Sequence, residues 1–213
     1  MTLRPSTAEG IRSWVPGPCN SVATGRTRSH ACVVLSYPTP DLTDGVVQLR
    51  RWKHRDRECV RLAATDPRIP QGTTVPAVYS EAEGTAFIER QWGRQTTGEG
   101  LSLTVAVATG SDAVGLICAL FRRQSGVVVE LGYWVVPPER GHGYARRAAR
   151  LLATWLLNET AITRVEALVK PENLASRRTL EQCGFQEEGC LRSYLNGKDD
   201  AIMSSLLRAD LSA

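Results

Sequence analysis

Between residues 127 and 158 the chain runs through a strand that is forced to stop, a turn built on glycine and a helix, and this succession limits what the sequence can fold into. Residues 127–136 are apolar apart from one carboxylate, Glu130. Pro137 and Pro138 then remove two backbone donors, so a sheet ladder cannot continue past them. Arg140-Gly141-His142-Gly143-Tyr144-Ala145 supplies the turn. Beyond it Ala145, Ala148, Ala149, Leu152, Trp155 and Leu156 recur at helical spacing and predict a helix over about 143–158 with one buried stripe. A strand that ends in a glycine turn opening a helix is an anion cradle. The free N–H groups of the first helical turn converge on a ligand, the helix dipole favours negative charge there, and glycine lets the backbone come close to a phosphate.

The other face of this helix carries Arg146, Arg147 and Arg150 in its first two turns. Cations at that end oppose the dipole, at a cost of roughly 0.3–1 kcal/mol each when exposed. A nearby polyanion would reverse the sign; the alternative is a solvated basic face. The turn is not a common nucleotide signature. No G-x-x-x-x-G-K-[ST] occurs, which argues against a P-loop ATPase. Gly141-x-Gly143 is followed by Tyr144, Ala145 and Arg146 rather than by a third glycine, and neither Glu159 nor Glu166 stands where a ribose-binding carboxylate should close the next strand. His142, inside the turn, reads as a solvated backbone spacer rather than a catalytic base.

The remaining segments frame an α/β protein. Strands are expected at 46–52, 101–109, 114–122, 127–136, 162–170, 185–194 and 201–208, and helices at 54–65, 81–95, 143–158 and 174–183. Ser80 and Asn173 sit at helix N-caps, Gly184 at a C′ position, and Gly110-Ser111-Asp112 and Asn196-Gly197 at hairpin turns. Residues 66–78 read as a loop. This pattern makes a mixed, mostly antiparallel sheet with helices on both faces. Residues 1–44, with five prolines and no sustained period, read as a disordered extension, and 45–213 as one domain.

Net charge is +4 with a sequence pI near 8.8, a modest and scattered excess that fits an anionic small molecule and gives no case for nucleic acid. No run of 18 apolar residues predicts a membrane span, and the start of the chain has no signal-peptide core. The six cysteines form no C-x-x-C pair and no zinc spacing with histidine, so reduced thiols in the cytoplasm and no bound metal are expected.

The turn resembles the acyl-CoA-binding motif R/Q-x-x-G-x-G/A of the GNAT N-acetyltransferase superfamily, and its surroundings are similar to the RimJ/RimL-like branch. Upstream, Glu130-Leu131-Gly132-Tyr133-Trp134-Val135-Val136 resembles that branch's central strand. Downstream, Asn173-Leu174-Ala175-Ser176 and Cys183-Gly184-Phe185 resemble its N-x-x-S and G-F elements, and Glu188-Gly189-Cys190-Leu191-Arg192 continues the likeness. The resemblance is dense over 127–192 and weaker from 46 onward, where Leu49-Arg50-Arg51-Trp52 resembles the first strand.

The resemblance implies the GNAT fold, acetyl-CoA as co-substrate and direct acetyl transfer to a primary amine, with a protein N-terminus of ribosomal type or a small amine as acceptor. It leaves room for a homodimer and for an acyl group other than acetyl. By the same resemblance, the backbone of Arg140, Gly141, His142, Gly143, Tyr144 and Ala145 would grip the pyrophosphate. Trp134, Val135 and Val136 would offer free backbone groups to the pantetheine arm. Asn173 and Ser176 would face that arm, with Ser176 as acid for the departing thiolate and Tyr194 as the competing acid.

Glu130 is the base candidate; period-2 counting puts it with Val128, Gly132, Trp134 and Val136 in a strand that reads as covered on both faces, where burial raises a carboxyl pKa. A structural ion pair with an arginine is the alternative reading of Glu130, and capping alone would explain Asn173 and Ser176. Where the branch often carries Thr-Glu after the turn, this chain has Arg146-Arg147, which leaves CoA binding intact or tightens it. A GNAT module that binds acyl-CoA without turnover is the second functional reading.

Overall fold

The computed structural model describes residues 34–122 and 126–212. In chain order the elements are β1 (Leu42–Thr43), β2 (Val47–Arg50), α1 (Arg57–Ala64), α2 (Arg68–Gly72), α3 (Glu81–Thr96), β3 (Gly100–Val107), β4 (Ala113–Phe121), β5 (Val128–Val135), α4 (Tyr144–Glu159), β6 (Arg164–Val169), α5 (Leu174–Gln182), β7 (Gln186–Leu195) and β8 (Asp199–Leu207). The strands form one eight-stranded sheet in the order β1-β2-β3-β4-β5-β6-β8-β7. Every neighbouring pair is antiparallel except β5 and β6, which are parallel because α4 carries the chain from the end of one to the start of the other.

Two apolar clusters sandwich the sheet. On one side Ala148, Ala149, Leu152, Ala153, Leu156 and Leu157 of α4 pack on Val129 and Leu131 of β5 and on Leu101, Leu103, Ile117 and Val165. On the other, α1 and α3 bring Cys59, Val60, Ala63, Phe87 and Ile88 onto Trp52, Leu116, Trp134 and Val136. Ser80 opens α3 by accepting the Glu83 N–H through its hydroxyl, as its position predicts. Trp52 and Phe87 meet edge-on with centroids 5.5 Å apart.

Strand β5 is covered unevenly. Trp134 and Val136 lie under the α1–α3 layer, whereas Val128, Glu130 and Gly132 on the same face are only partly buried. The expectation of a strand covered on both faces therefore holds for the second half of this face and not the first. Helices α1 and α3 end their cover short of β7, which is exposed along nearly its whole length.

Residues 34–44 belong to the fold rather than to an extension. Leu35 is buried in the α4 cluster, Tyr37 packs beside it, and Leu42 and Thr43 pair with Leu49 and Gln48 of β2. The Arg51 guanidinium lies 5.3 Å from the centre of the Tyr37 ring, and Asp44 binds Arg147 of α4 at 2.8 Å. These contacts hold a proline-containing segment that has no periodicity of its own. Residues 1–33 lie outside the described residues. The expected loop 66–78 also contains the short helix α2.

One polar pair is sealed inside. Arg50 and Asp56 meet at 2.8 Å with side chains 2% and 3% exposed. Arg50 also donates to the Ser111 Oγ and carbonyl at the tip of the β3–β4 hairpin and to the Arg51 carbonyl, while Asp56 accepts the Lys53 N–H. The site is fully satisfied and ties the start of α1 to the far hairpin.

Candidate active site

The chain leaves β5 at Val135 and makes a 3-10 turn over Pro137–Glu139. Arg140 is extended, and Gly141 and Gly143 take left-handed conformations, φ +86° and +75°. Residues with a Cβ rarely adopt these values, so the glycines are required by the path of the backbone. Gly143 is the N-cap of α4 and offers no side-chain acceptor, which leaves the first-turn N–H groups of Tyr144, Ala145 and Arg146 open. The N–H groups of Gly141, His142 and Gly143 find no acceptor among the described residues either. A Cβ on Gly143 would meet nothing nearer than Arg146 Nη2 at 4.0 Å, so the open side of the turn is free for a ligand.

Side chains fix this turn from outside. Arg140 does not point into the cradle: its Nε donates to the Val135 carbonyl at 3.0 Å and its Nη1 binds Asp66 at 2.7 Å. Asp66, only 8% exposed, also takes two bonds from the Arg68 side chain. Hydrogen bonds from Arg68 and then Arg140 outweigh burial and hold the Asp66 carboxyl well below the usual carboxylate range. His142 is exposed, with Nδ1 3.3 Å from the Glu139 carbonyl and its ring stacked on Tyr144 at 5.4 Å, so it is part of the turn.

Beside the cradle the sheet is half unzipped. Strands β5 and β6 pair only at Val128↔Arg164, Val129↔Val165 and Glu130↔Glu166. Past that rung they part. Backbone groups alternate between the two edges of a strand. The Val136 N–H donates to the Val114 carbonyl, and Arg122 N–H to Val128, so residues 128, 130, 132, 134 and 136 spend theirs on β4. Tyr133 and Val135 therefore direct theirs toward the gap. This corrects the expectation for Trp134, Val135 and Val136: Trp134 and Val136 face β4, Val135 faces the gap with its carbonyl already held by Arg140, and Tyr133 joins it. Trp134 contributes its ring to the α1–α3 core instead.

The three catalytic candidates sit on two sides of the sheet. On the half-open face Arg122 Nε binds Glu130 at 3.0 Å, and its Nη2 donates to the Tyr194 hydroxyl at 2.8 Å while the guanidinium stacks 5.1 Å from the Tyr194 ring centre. Glu130 keeps 34% of its side chain exposed. Partial burial, helped by Glu166 on the neighbouring strand, raises its pKa against the lowering pull of Arg122. On the opposite face Tyr133 reaches α5, its hydroxyl 2.8 Å from Ser176 Oγ. Burial pushes the Tyr133 phenol up to about 12, so it stays protonated at neutral pH. Asn173 Oδ1 accepts the Ser176 N–H at 3.2 Å and caps the helix, as its sequence position predicts. Tyr194 and Ser176 are thus not brought together; Tyr194 belongs with Glu130.

Sequence reasoning missed Arg122, Tyr133, Glu166 and Asp66. Period-2 counting puts Tyr133 on the face opposite Glu130, but only the strand register shows which residues meet the gap. Among the described residues no cluster of three or more His, Cys, Asp or Glu side chains is placed to hold a metal, and no helix is long and apolar enough to cross a membrane.

Residues 47–186 match the acetyltransferase (GNAT) domain. The chain belongs to the GNAT family. This GNAT chain is 24% identical over 165 residues to an uncharacterized N-acetyltransferase, p20, of Bacillus licheniformis, a match covering 76% of this chain and 93% of the relative. Its fold is similar to Mycobacterium smegmatis RimJ solved with CoA-disulfide, at TM-score 0.69 and 23% identity over 81% of this chain and 87% of that one. It is also similar to the ribosomal-protein-S5-alanine acetyltransferase of Vibrio fischeri, at TM-score 0.64 and 20% identity over 80% and 97% of the two chains. The GNAT sheet agrees with these neighbours.

Proposed function

We propose that this GNAT N-acetyltransferase takes the acetyl group of acetyl-CoA and delivers it to a primary amine by direct attack, without a covalent enzyme intermediate. The observation that carries the reading is continuity. The open N–H cradle at Gly141–Arg146 leads into the gap between β5 and β6, with a carboxylate on one side of the sheet and a hydroxyl pair on the other.

Acetyl-CoA supplies the thioester whose acetyl carbon bonds to the amine nitrogen. The N–H groups of Gly141, Gly143, Tyr144 and Ala145 grip its pyrophosphate, and the backbone edge at Tyr133 and Val135 pairs with the amides of its arm. Glu130, at its raised pKa, accepts the ammonium proton of the acceptor, directly or through water, so that the nitrogen lone pair is free to attack. Arg122 keeps that carboxylate oriented. As the carbon–sulfur bond breaks, Ser176 donates its hydroxyl proton to the thiolate and recovers one through the Tyr133 hydroxyl. Asn173 fixes Ser176 by capping its helix.

The acceptor is a protein N-terminus. The half-open face around Glu130 and the exposed strand β7 leave room for an extended chain end, and the S5-alanine acetyltransferase neighbour acts on a ribosomal protein by name. Calorimetric titration with acetyl-CoA, CoA and ATP, followed by a peptide panel read by mass spectrometry, tests the proposal. Saturable binding of both CoA species but not ATP, with acetyl mass added at a free α-amine, is expected. Absence of CoA binding removes the cofactor assignment, and tight binding with no transfer to any amine leaves an acyl-CoA-binding module.

A further inference from the structure

The last rung between β5 and β6 carries a carboxylate on each strand. Glu130 and Glu166 are Cα partners there, and the strands part beyond them. Neighbouring strands stand about 4.8 Å apart and paired residues share a face, so both side chains rise on the same side of the sheet. Like charges set beside each other in this way repel. Glu130 keeps 34% of its side chain exposed and Glu166 16%, so solvent and salt screen the repulsion only in part.

Each carboxylate has an arginine, and the two arginines are shared differently. Arg122 Nε binds Glu130 at 3.0 Å, and the rest of its guanidinium goes to the Tyr194 hydroxyl and ring. Arg164 Nε binds Glu166 at 2.7 Å, while its two terminal nitrogens take Glu188 of β7, which also accepts the Ser205 hydroxyl of β8. One guanidinium thus faces two carboxylates and leaves surplus negative charge beside Glu130. Two further groups act on this face: the Cys118 thiol of β4, which burial pushes up and keeps neutral, and Arg94 of α3, whose Nε donates to Gln91 at 3.1 Å. Neither forms a hydrogen bond or ion pair with Glu130 among the described residues.

Arg122 alone would make Glu130 a poor base, because a guanidinium in contact stabilises the ionised carboxylate and weakens its hold on a proton. A second negative charge at the same rung works against that. We propose that Glu166 is a positioning residue for the transfer reaction: as the second carboxylate at the last rung it opposes Arg122 and keeps Glu130 able to take the ammonium proton of the acceptor. This rests on the reading of Glu130 as base given above. The balance of forces on Glu130 has the matching signs: burial raises its carboxyl, Arg122 pulls it down and Glu166 pushes it up.

Carbon-detected titration of the full chain labelled at its glutamate carboxyls, with the Glu130 signal identified by its absence in Glu130→Gln, reads the base directly and needs no acceptor. Rates of acetyl transfer to a pool of short peptides with free α-amines, followed against pH, read the consequence. In Glu166→Gln the Glu130 midpoint should move to lower pH by at least about half a unit, since the charge removed had opposed its ionisation. The acidic limb of the rate profile should move with it, the rate at neutral pH should fall, and calorimetric affinity for acetyl-CoA should stay unchanged. Glu166→Asp keeps the charge and should hold the midpoint closer to that of the natural protein. A midpoint that stays in place in Glu166→Gln overturns the proposal, as does one that moves equally far in Glu166→Asp, or one that moves while the rate limb does not. A lowered melting temperature with both curves unmoved would make Glu166 a brace between β6 and β7 and nothing more, which also overturns it. If Glu130→Gln leaves the rate profile unchanged, the base reading falls and the proposal falls with it.

Discussion

Replacing Gly143 by alanine separates what the protein needs from what its ligand needs. Gly143 sits at φ +75°, and a left-handed backbone costs a residue with a Cβ roughly 1–2 kcal/mol. The added methyl has no other cost in the free protein, since only the end of the Arg146 side chain comes as near as 4.0 Å. Against a typical total stability of about 5–15 kcal/mol the variant stays folded. For a chain of this size each kcal/mol lowers Tm by roughly 2–4 °C, so a drop of about 2–8 °C is expected. Binding suffers more. The methyl occupies the side of the turn where a phosphate must meet the N–H groups, and each charge-assisted bond lost is worth about 1.5–3 kcal/mol. Losing even one lowers affinity by roughly tenfold to a hundredfold. Calorimetric titration with acetyl-CoA, paired with a thermal melt, reads both quantities. A variant that melts within this range yet binds acetyl-CoA as tightly as the natural protein would refute the cradle.

Three further outcomes follow from the same geometry. Glu130→Gln should lower the rate of acetyl transfer by about 10²–10⁴-fold with acetyl-CoA affinity retained. In the natural enzyme the rate should fall on acidification at a pH above the ordinary carboxylate range, because Glu130 must be ionised to take a proton; an unchanged rate–pH profile in the variant excludes Glu130 as base. Arg50→Ala strands the buried Asp56 carboxylate and should destabilise the fold by about 3–5 kcal/mol in urea melts, and a loss under 1 kcal/mol would contradict the account of that pair. Asp66 has a depressed folded pKa, so its contribution to stability is complete above its unfolded value near 3.9 and is lost as pH falls toward the folded one. Asp66→Asn should therefore cost stability at neutral pH and flatten the stability curve below about pH 5, and parallel acid limbs in the two proteins would rule this out.

Much of the cradle was legible because its signals are local. Two prolines end the strand, two glycines permit left-handed turns, and the apolar stripe of α4 follows within the same helix. Ser80 and Asn173 were readable as caps for the same reason. What escaped depends on distant partners. Side-chain alternation assigns Glu130 and Tyr133 to opposite faces, but the edge to which a backbone group points is set by pairing with β4, so Trp134 and Val136 were expected at the gap in place of Tyr133. Arg122 meets Tyr194 across 72 positions of sequence, which no local pattern encodes. The segment holding Leu35 and Tyr37 reads as proline-rich and irregular, and it is ordered only by what it docks against.

The unfinished pairing of β5 with β6 divides one strand lengthwise into two classes of amide. Those of Glu130, Gly132 and Trp134 are committed to β4, and their hydrogens exchange with solvent only when the centre of the sheet opens. Tyr133 and Val135, beyond the last rung, lie along a seam that can be breached without disturbing either core cluster. Such a strand is stiff along one margin and labile along the other. An occupant of the gap would close the labile margin and slow exchange at Tyr133 and Val135 alone, so two amide signals would report the filling of the site while the rest of the strand stayed silent.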